Sequence, residues 1–538
     1  MVQLPLTDPT EGSSEPGRFW TVANTSEACP EVMTPFCWTF WRRINQFSVR
    51  QAWYDFGLIA KSQIPIEPDP NLLMSGCFYG RQAINIDAVR AVLALAPGTS
   101  PDDFERDAFG AVRPDAPPVK ESRRRYPAVA FRLPQAVLRQ RRRIQSLHDE
   151  QAQWWRAEVL SGRATMSPRQ LLIESERRYQ RAMRLHLYSR TNLLPAVQGQ
   201  LTTLATSVCG PDLASRLLSG SGRTAETQIA HDMWALSRGQ LTRSEFLARH
   251  GFHGPAEGNP VSRSWREDAT PLDSLLASYS KRPDSDAPYA REKTTARGHQ
   301  KAVQELMAAL SPARRVLARV LLSAFRAQVR YLGLGKAAFL MGLDGARAGV
   351  RGMGAELVAA GITDDPDDAF YFTFDELLGP VPENFAELVA FRRARRIQYQ
   401  QWELPVTWHG MPTPIKTQSH CETRDLVVGS PGSGGTAEGR VLVVHDPVDS
   451  DDLEAGDVLV CRFTDPSWAA LFPLAAAVVI DIGGPASHGA VVARELGIPC
   501  VIGTGDGSRA LQTGDVVRVD GTAGMVTVLK RKATAQAT

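Results

Sequence analysis

The sequence predicts a multidomain α+β protein, a large mainly α-helical domain followed by a small β/β/α domain. Three observations predict it. The chain has 538 residues, more than one hydrophobic core usually holds. Apolar residues recur at helical spacing between Arg and Glu through most of residues 134–402. From about residue 426 the pattern changes to short Val-rich runs separated by Gly-rich turns, the mark of strands.

Composition narrows the function classes. Hydrophobic content of 43% and charged content of 22% are ordinary for a globular chain. A formal net charge of +3 gives no reason to expect a nucleic-acid partner. The seven cysteines form no CxxC pair and have no His-rich companion cluster, so neither a metal site nor a disulfide framework is expected. The N-terminus lacks a basic segment followed by an apolar one, and no stretch approaches the ~20 apolar residues that span a bilayer. No membrane association and a cytoplasmic location are the expectation.

In chain order, residues 1–18 are polar, bear Pro, Gly and Ser, and read as a flexible tail. Residues 19 to about 110 are rich in aromatics, Trp20 and Trp38 among them, and Pro, Gly and Asn divide them into short elements. These aromatics suit a large apolar ligand and equally suit a core. Helices are predicted at 134–161, 167–208, 225–239, 242–250, 293–310, 312–341 and 382–402, with Pro168 and Pro312 at first-turn positions. The runs Arg123–Arg125 and Arg141–Arg143 read as a solvated helix face. Residues 404–425, with three prolines and little periodicity, read as a linker; 426–532 form the β/β/α domain, and 533–538 a tail.

One histidine stands out, in the run Gly483-Gly484-Pro485-Ala486-Ser487-His488-Gly489. The apolar run at 475–480 before it reads as a buried strand, and the Gly pair permits a sharp turn. Ser487 is an N-cap candidate for a helix over about 489–496, closed by Gly497. His488 therefore falls at a helix N-terminus, where backbone N–H groups and the dipole favour an anion. A phosphoryl group on imidazole is such an anion, and a neutral imidazole is a good nucleophile near pH 7.

This run resembles the phosphohistidine motif of phosphoenolpyruvate synthase, pyruvate phosphate dikinase and rifampin phosphotransferase. The likeness extends through Ser430-Pro431-Gly432, Gly439-Arg440-Val441, Gly456-Asp457-Val458, Phe463-Thr464-Asp465-Pro466-Ser467-Trp468 and Val519-Asp520-Gly521-Thr522. Shorter matches resemble the substrate-binding domain of rifampin phosphotransferase: Asn24-Thr25-Ser26-Glu27, Gly80-Arg81-Gln82-Ala83, Gly251-Phe252-His253-Gly254-Pro255-Ala256-Glu257 and Trp265-Arg266-Glu267-Asp268. The resemblance implies that 19–403 is a mainly helical substrate-binding domain and 426–532 a swivelling phosphohistidine domain. It implies a phosphotransferase in which His488 carries the phosphoryl group; Gly483, Gly484, Ser487 and Gly489 are the expected phosphate-binding residues, and Arg494, nearly two turns along the helix, either helps to hold the phosphohistidine or bridges to the other domain.

In that family an ATP-grasp domain charges the histidine. No nucleotide-binding motif is recognisable here, so ATP and Mg2+ are expected only through a separate ATP-grasp subunit, and the acceptor is expected to be a hydroxyl of a bulky apolar small molecule. No phosphoenolpyruvate-binding barrel is expected. The family's Arg-Glu-x-x-Lys run corresponds to Arg326-Ala327-Gln328-Val329-Arg330, where the acid has become Ala327. Arg326 and Arg330, at i and i+4, share a helix face and suit an anion clamp, or are two solvated arginines. His253 and Glu257 form a candidate acid–base pair or a hydrogen-bonded loop. Asn24 and Glu27 line the acceptor pocket or cap a local turn. Two other readings stay open: an ATP-independent dehydratase, cyclase or isomerase of a hydrophobic natural product with His488 as acid–base, and a binding protein without chemistry.

Overall fold

The computed structural model describes residues 3–22, 29, 31–66, 69–95, 100–102, 104–105, 112–118, 123–162, 165–219, 225–284, 287–416, 423–445, 453–454, 456–464, 468, 471–484 and 487–532, with only the backbone at 211, 212, 215, 225, 226, 290, 291 and 488. The helices are α1 Pro35–Asp55, α2 Ile86–Leu93, α3 Tyr126–Trp155, α4 Pro168–Leu187, α5 Leu194–Cys209, α6 Pro211–Leu218, α7 Ala225–Ser237, α8 Arg243–His250, α9 Thr270–Ser280, α10 Pro288–Ala309, α11 Pro312–Ala359, α12 Phe374–Leu377, α13 Phe385–Gln400, α14 His488–Leu496 and α15 Gly507–Ala510. The strands are β1 Phe19–Thr21, β2 Ser75–Phe78, β3 Arg81–Asn85, β4 Trp402–Glu403, β5 Thr407–His409, β6 Ile415–Lys416, β7 Leu426–Val428, β8 Ser430–Ser433, β9 Thr436–Val444, β10 Val458–Cys461, β11 Ala477–Ile480, β12 Cys500–Ile502, β13 Val516–Asp520 and β14 Met525–Lys530. Helices dominate the first four hundred residues and strands the last hundred, the α+β arrangement expected.

Two compact units result. The first holds residues 1–188, 258–261 and 334–417. Its helix α1 begins at Thr34, whose hydroxyl accepts from the Cys37 N–H, and Pro35 takes the first-turn position where no N–H is needed. Phe36, Phe40 and Trp41 are buried along it, and Phe40 and Trp41 meet Tyr179 of α4 edge-on at 5.4 and 5.9 Å. The aromatic run of 19–110 thus contains a 21-residue helix, not only short elements. The predicted 312–341 helix continues to Ala359, because Gly342, Gly345 and Gly349 let α11 lie directly on α4. A methyl at Gly349 would meet the Leu172 backbone at 3.0 Å, and one at Gly345 the Ser175 hydroxyl at 2.6 Å.

Residues 3–18 are not a loose tail. The Gly80 N–H donates to Thr10 O at 2.9 Å, and the Leu4 N–H to Asn384 Oδ1 at 3.0 Å. The expected linker is likewise built in as far as 416: β5 pairs antiparallel with β1, and β6 with β4.

The second unit holds residues 189–257, 262–333 and 418–538, so helices expected to lie in the substrate-binding domain cluster with the C-terminal sheet. That sheet has eight strands in the order β7-β14-β13-β9-β10-β11-β12-β8. Its centre, β9, β10, β11 and β12, is parallel, and the flanking pairs are antiparallel. Alternate residues of each strand face opposite sides. Val458, Val460 and Val479 join Val517, Val519 and Val526 in one core. Leu459, Cys461, Val478 and Ile480 face the other way, onto Ala490, Val492, Ala493 and Leu496 of α14. This second core runs on without a break into Met233, Trp234, Phe246, Leu275 and Tyr279 of α7, α8 and α9, which is why helices and sheet form one unit.

Candidate functional site

The site is built at the carboxyl ends of parallel strands, where open α/β sheets place their ligands. Strand β11 ends at Ile480, and the chain must turn at once to enter α14. The Asp481 N–H donates to Cys461 O at 3.1 Å and the Ile482 N–H to Arg462 O at 2.8 Å, which holds the turn against the end of β10. Gly483 has φ +138°, and a Cβ there would meet Ile502 Cδ1 at 2.7 Å. Gly484 closes the turn by accepting from the Ser487 N–H at 2.8 Å.

Helix α14 then starts as its sequence directs. Ser487 is the N-cap, its hydroxyl accepting from the Ala490 N–H at 3.2 Å. Gly497 ends the helix in the left-handed region, with φ +65°. His488 is the first helical residue. Gly489 follows because nothing larger fits: a Cβ there would meet Thr464 Oγ1 at 2.5 Å and Ile480 Cδ1 at 2.7 Å. The first turn of any helix exposes N–H donors and the positive dipole end, so the backbone at His488 sits where anionic charge is stabilised.

Asp481, a residue that the motif reading did not single out, organises the neighbouring loop. Its carboxylate accepts from the Thr504 hydroxyl at 2.6 Å and from the Ser508 N–H at 3.0 Å. Burial pushes its pKa up, against the hydrogen bonds from Ser508 and Thr504, which hold it down. The signal for it was an acid directly after an apolar strand run.

Arg494 lies near the end of α14. It is buried in the last turn, and its Nε donates to Ala490 O of its own helix at 3.0 Å. Burial lowers its pKa, with the Glu495 charge opposing.

Arg326 and Arg330 both lie on the exposed side of α11. The Arg326 guanidinium donates to His299 Nε2 of α10 at 2.7 Å, a residue that no motif marks. That bond requires an unprotonated Nε2. Burial and then the Arg326 charge hold the His299 pKa down. His253 and Glu257 do pair, Nδ1 to Oε2 at 2.7 Å, but both side chains are buried. Rings of Phe252, Trp265 and His250 lie within 4.3 to 6.2 Å of His253, so the pair is packed among rings.

Trp20 is buried in the first unit, edge-on to Phe78 at 4.9 Å, with its indole N–H on Ser14 Oγ at 2.8 Å. Trp38 is buried along α1. Both are core residues in this arrangement. Asn24 and Glu27 lie outside the described residues. Among the described residues no cluster of three or more His, Cys, Asp or Glu is arranged to hold a metal ion, and no helix is long and apolar enough to cross a membrane.

Comparison with known proteins agrees with this geometry. Residues 453–524 match the mobile domain of PEP-utilising enzymes, and residues 242–332 match the rifampicin phosphotransferase fourth domain. The rifampicin phosphotransferase of Streptomyces sviceus is 38% identical over 177 residues, 32% of this chain and 20% of that protein. That of Bacillus subtilis is 34% identical over 177 residues, again 32% and 20%. An uncharacterized protein of Mycobacterium tuberculosis is 40% identical over 185 residues, 34% of this chain and 21% of that protein. The matched part thus spans about a fifth of the length of these relatives.

Proposed function

We propose that this chain is a phosphotransferase component in which His488 carries a phosphoryl group from a nucleotide donor to a hydroxyl acceptor. The observation that carries the reading is the position of His488 itself. It opens a Ser-capped helix at the carboxyl end of a parallel strand, within the segment similar to the mobile domain of PEP-utilising enzymes. The similarity to rifampicin phosphotransferases adds a small-molecule acceptor to the proposal.

In the first half-reaction an imidazole nitrogen attacks a phosphorus of the nucleotide donor. An N–P bond forms, the bond from that phosphorus to its bridging oxygen breaks, and the rest of the nucleotide leaves with that oxygen. In the second the acceptor oxygen attacks the phosphohistidine. An O–P bond forms, the N–P bond breaks, and the acceptor proton passes to a base. The helix N-terminus stabilises charge on the phosphoryl oxygens in both states. The donor site is assigned to an ATP-grasp protein acting on this chain, and the acceptor to a bulky, largely apolar molecule bearing a hydroxyl. Arg326, held by His299, is assigned to the acceptor half-reaction as an anion-binding group.

The test is a burst measurement. Mixing the chain with ATP, Mg2+ and a candidate ATP-grasp protein should release one equivalent of nucleotide product, ADP or AMP, per chain before any steady state. His488→Ala should abolish the burst. An equal burst from His488→Ala would overturn the carrier role.

A further inference from the structure

A second candidate site lies in the first unit, on helices α3 and α4. Helices α3 and α4 are consecutive and lie side by side. On α3, Arg139, Arg142, Arg143 and Ser146 recur at three- and four-residue spacing and so share a face. On α4, Arg181 and Arg184 share a face by the same spacing. The two faces meet along an open groove of about 630 Å3, and all of these residues line it.

The charges in this groove do not balance. Arg184 is satisfied, with two bonds of 2.6 Å to Asp55 and one of 2.7 Å to Gln51. Arg181 meets Glu150 at 3.2 Å, an exposed and therefore weak pair. Arg139, Arg142 and Arg143 are exposed and have no carboxylate partner among the described residues. Like charges at this spacing repel, so helix stability alone does not account for three of them together. The whole chain carries a net charge of only +3, which makes the excess a local property of the groove.

The rest of the lining is Glu150, the partner of Arg181, and three leucines. Leu147 and Leu185 are buried at its floor, while Leu138 is 81% exposed at its rim. A volume of this size is typical of small-molecule sites, at roughly 300–1,000 Å3. Guanidinium forks match phosphate oxygens in pairs.

We propose that the groove binds an amphipathic organic phosphate. Its phosphate groups would be held by Arg139, Arg142 and Arg143, and its apolar body would lie over Leu138, Leu147 and Leu185. This site is independent of phosphoryl transfer at His488. The basic run read from sequence as a solvated face is half of a concave site whose other half comes from α4.

The test uses the full chain and isothermal titration calorimetry at physiological ionic strength, with farnesyl diphosphate as the probe. Inorganic pyrophosphate tests the anion alone, and phosphatidylcholine vesicles containing phosphatidic acid test a lipid surface. The wild type should bind farnesyl diphosphate at one saturable site, more tightly than pyrophosphate. The triple variant R139Q/R142Q/R143Q should bind about a thousandfold more weakly, at about tenfold per guanidinium. Its thermal unfolding should be unchanged, since the replaced groups are exposed. R141Q, on the same helix outside the groove, should bind like the wild type. Leu138→Asp should weaken farnesyl diphosphate and spare pyrophosphate. The proposal is overturned by no saturable binding, by equal losses in R141Q and the triple variant, or by binding to vesicles without binding of the free diphosphate.

Discussion

Gly489→Ala isolates the packing that fixes the start of α14. The new methyl would sit 2.5 Å from Thr464 Oγ1 and 2.7 Å from Ile480 Cδ1, both closer than real Cβ contacts allow. The far end of Ile480 can rotate away; the short, buried Thr464 cannot. Overpacking of this kind costs about 1–3 kcal/mol, and the helix propensity gained from Gly to Ala returns up to about 1 kcal/mol. The net expectation is a loss of about 1–2 kcal/mol, localised to the helix start. Hydrogen exchange reads it directly: peptides covering 487–497 should exchange about tenfold faster, because 1.4 kcal/mol is a factor of ten where local opening controls exchange. Thr464→Ala removes the hydroxyl and leaves its Cβ at an ordinary 3.6 Å from the new methyl. The double variant should therefore recover about 1 kcal/mol relative to the sum of the singles. Unchanged or slower exchange in Gly489→Ala would refute the account of why glycine follows His488, and additive singles would refute the role of Thr464.

Three further outcomes follow from the geometry. Ser487→Ala removes the cap on the Ala490 N–H and should cost about 1 kcal/mol, while Ser487→Asp should recover most of it, both measured by exchange of the same peptides. Gly345→Ala should destabilise the first unit by about 1–3 kcal/mol in urea unfolding, because its methyl would meet the Trp154 ring at 2.5 Å. His250 and His299 both have folded pKa values held below the ordinary 6.5, His250 chiefly by burial against its bond to Asp232, His299 by burial and then by Arg326. The unfolded chain then binds more protons than the folded one below about pH 6.5, so stability is full above that pH and falls as pH drops toward the depressed folded values. Urea midpoints between pH 7.5 and 5 should fall, and less steeply in H250Q/H299Q. A midpoint that stays flat in the wild type would contradict neutral histidines at these positions.

The parts of the fold that could be read in advance were those where local chemistry and tertiary context agree. The Ser487 cap, the Gly497 end and the apolar β11 run are short-range signals, and α14 needed no distant partner to be recognised. The second half of α11 was hidden because Gly342, Gly345 and Gly349 read as helix breakers in isolation. Only α4, more than 160 residues earlier in the chain, shows that they are contact points. Helix α1 was obscured for a related reason, since its Phe and Trp residues are poor helix formers that a surrounding aromatic core holds in place. In the site, a motif could mark His488 and Gly489, but not that Arg494 is buried in its own helix or that His299 holds Arg326. Those are facts of packing between elements distant in sequence. The same holds for the arginine groove, whose two halves are separate helices.

The central claim is that His488 is a covalent carrier. Intact-protein mass spectrometry at neutral to alkaline pH, where phosphohistidine survives, tests it most directly. The wild type and His488→Ala are incubated with ATP, Mg2+ and a candidate ATP-grasp protein, and the modified peptide is then located. The account predicts a mass increase of one phosphoryl group in the wild type alone, on the peptide containing His488. The same increase in His488→Ala, or its location on any other histidine, would contradict it.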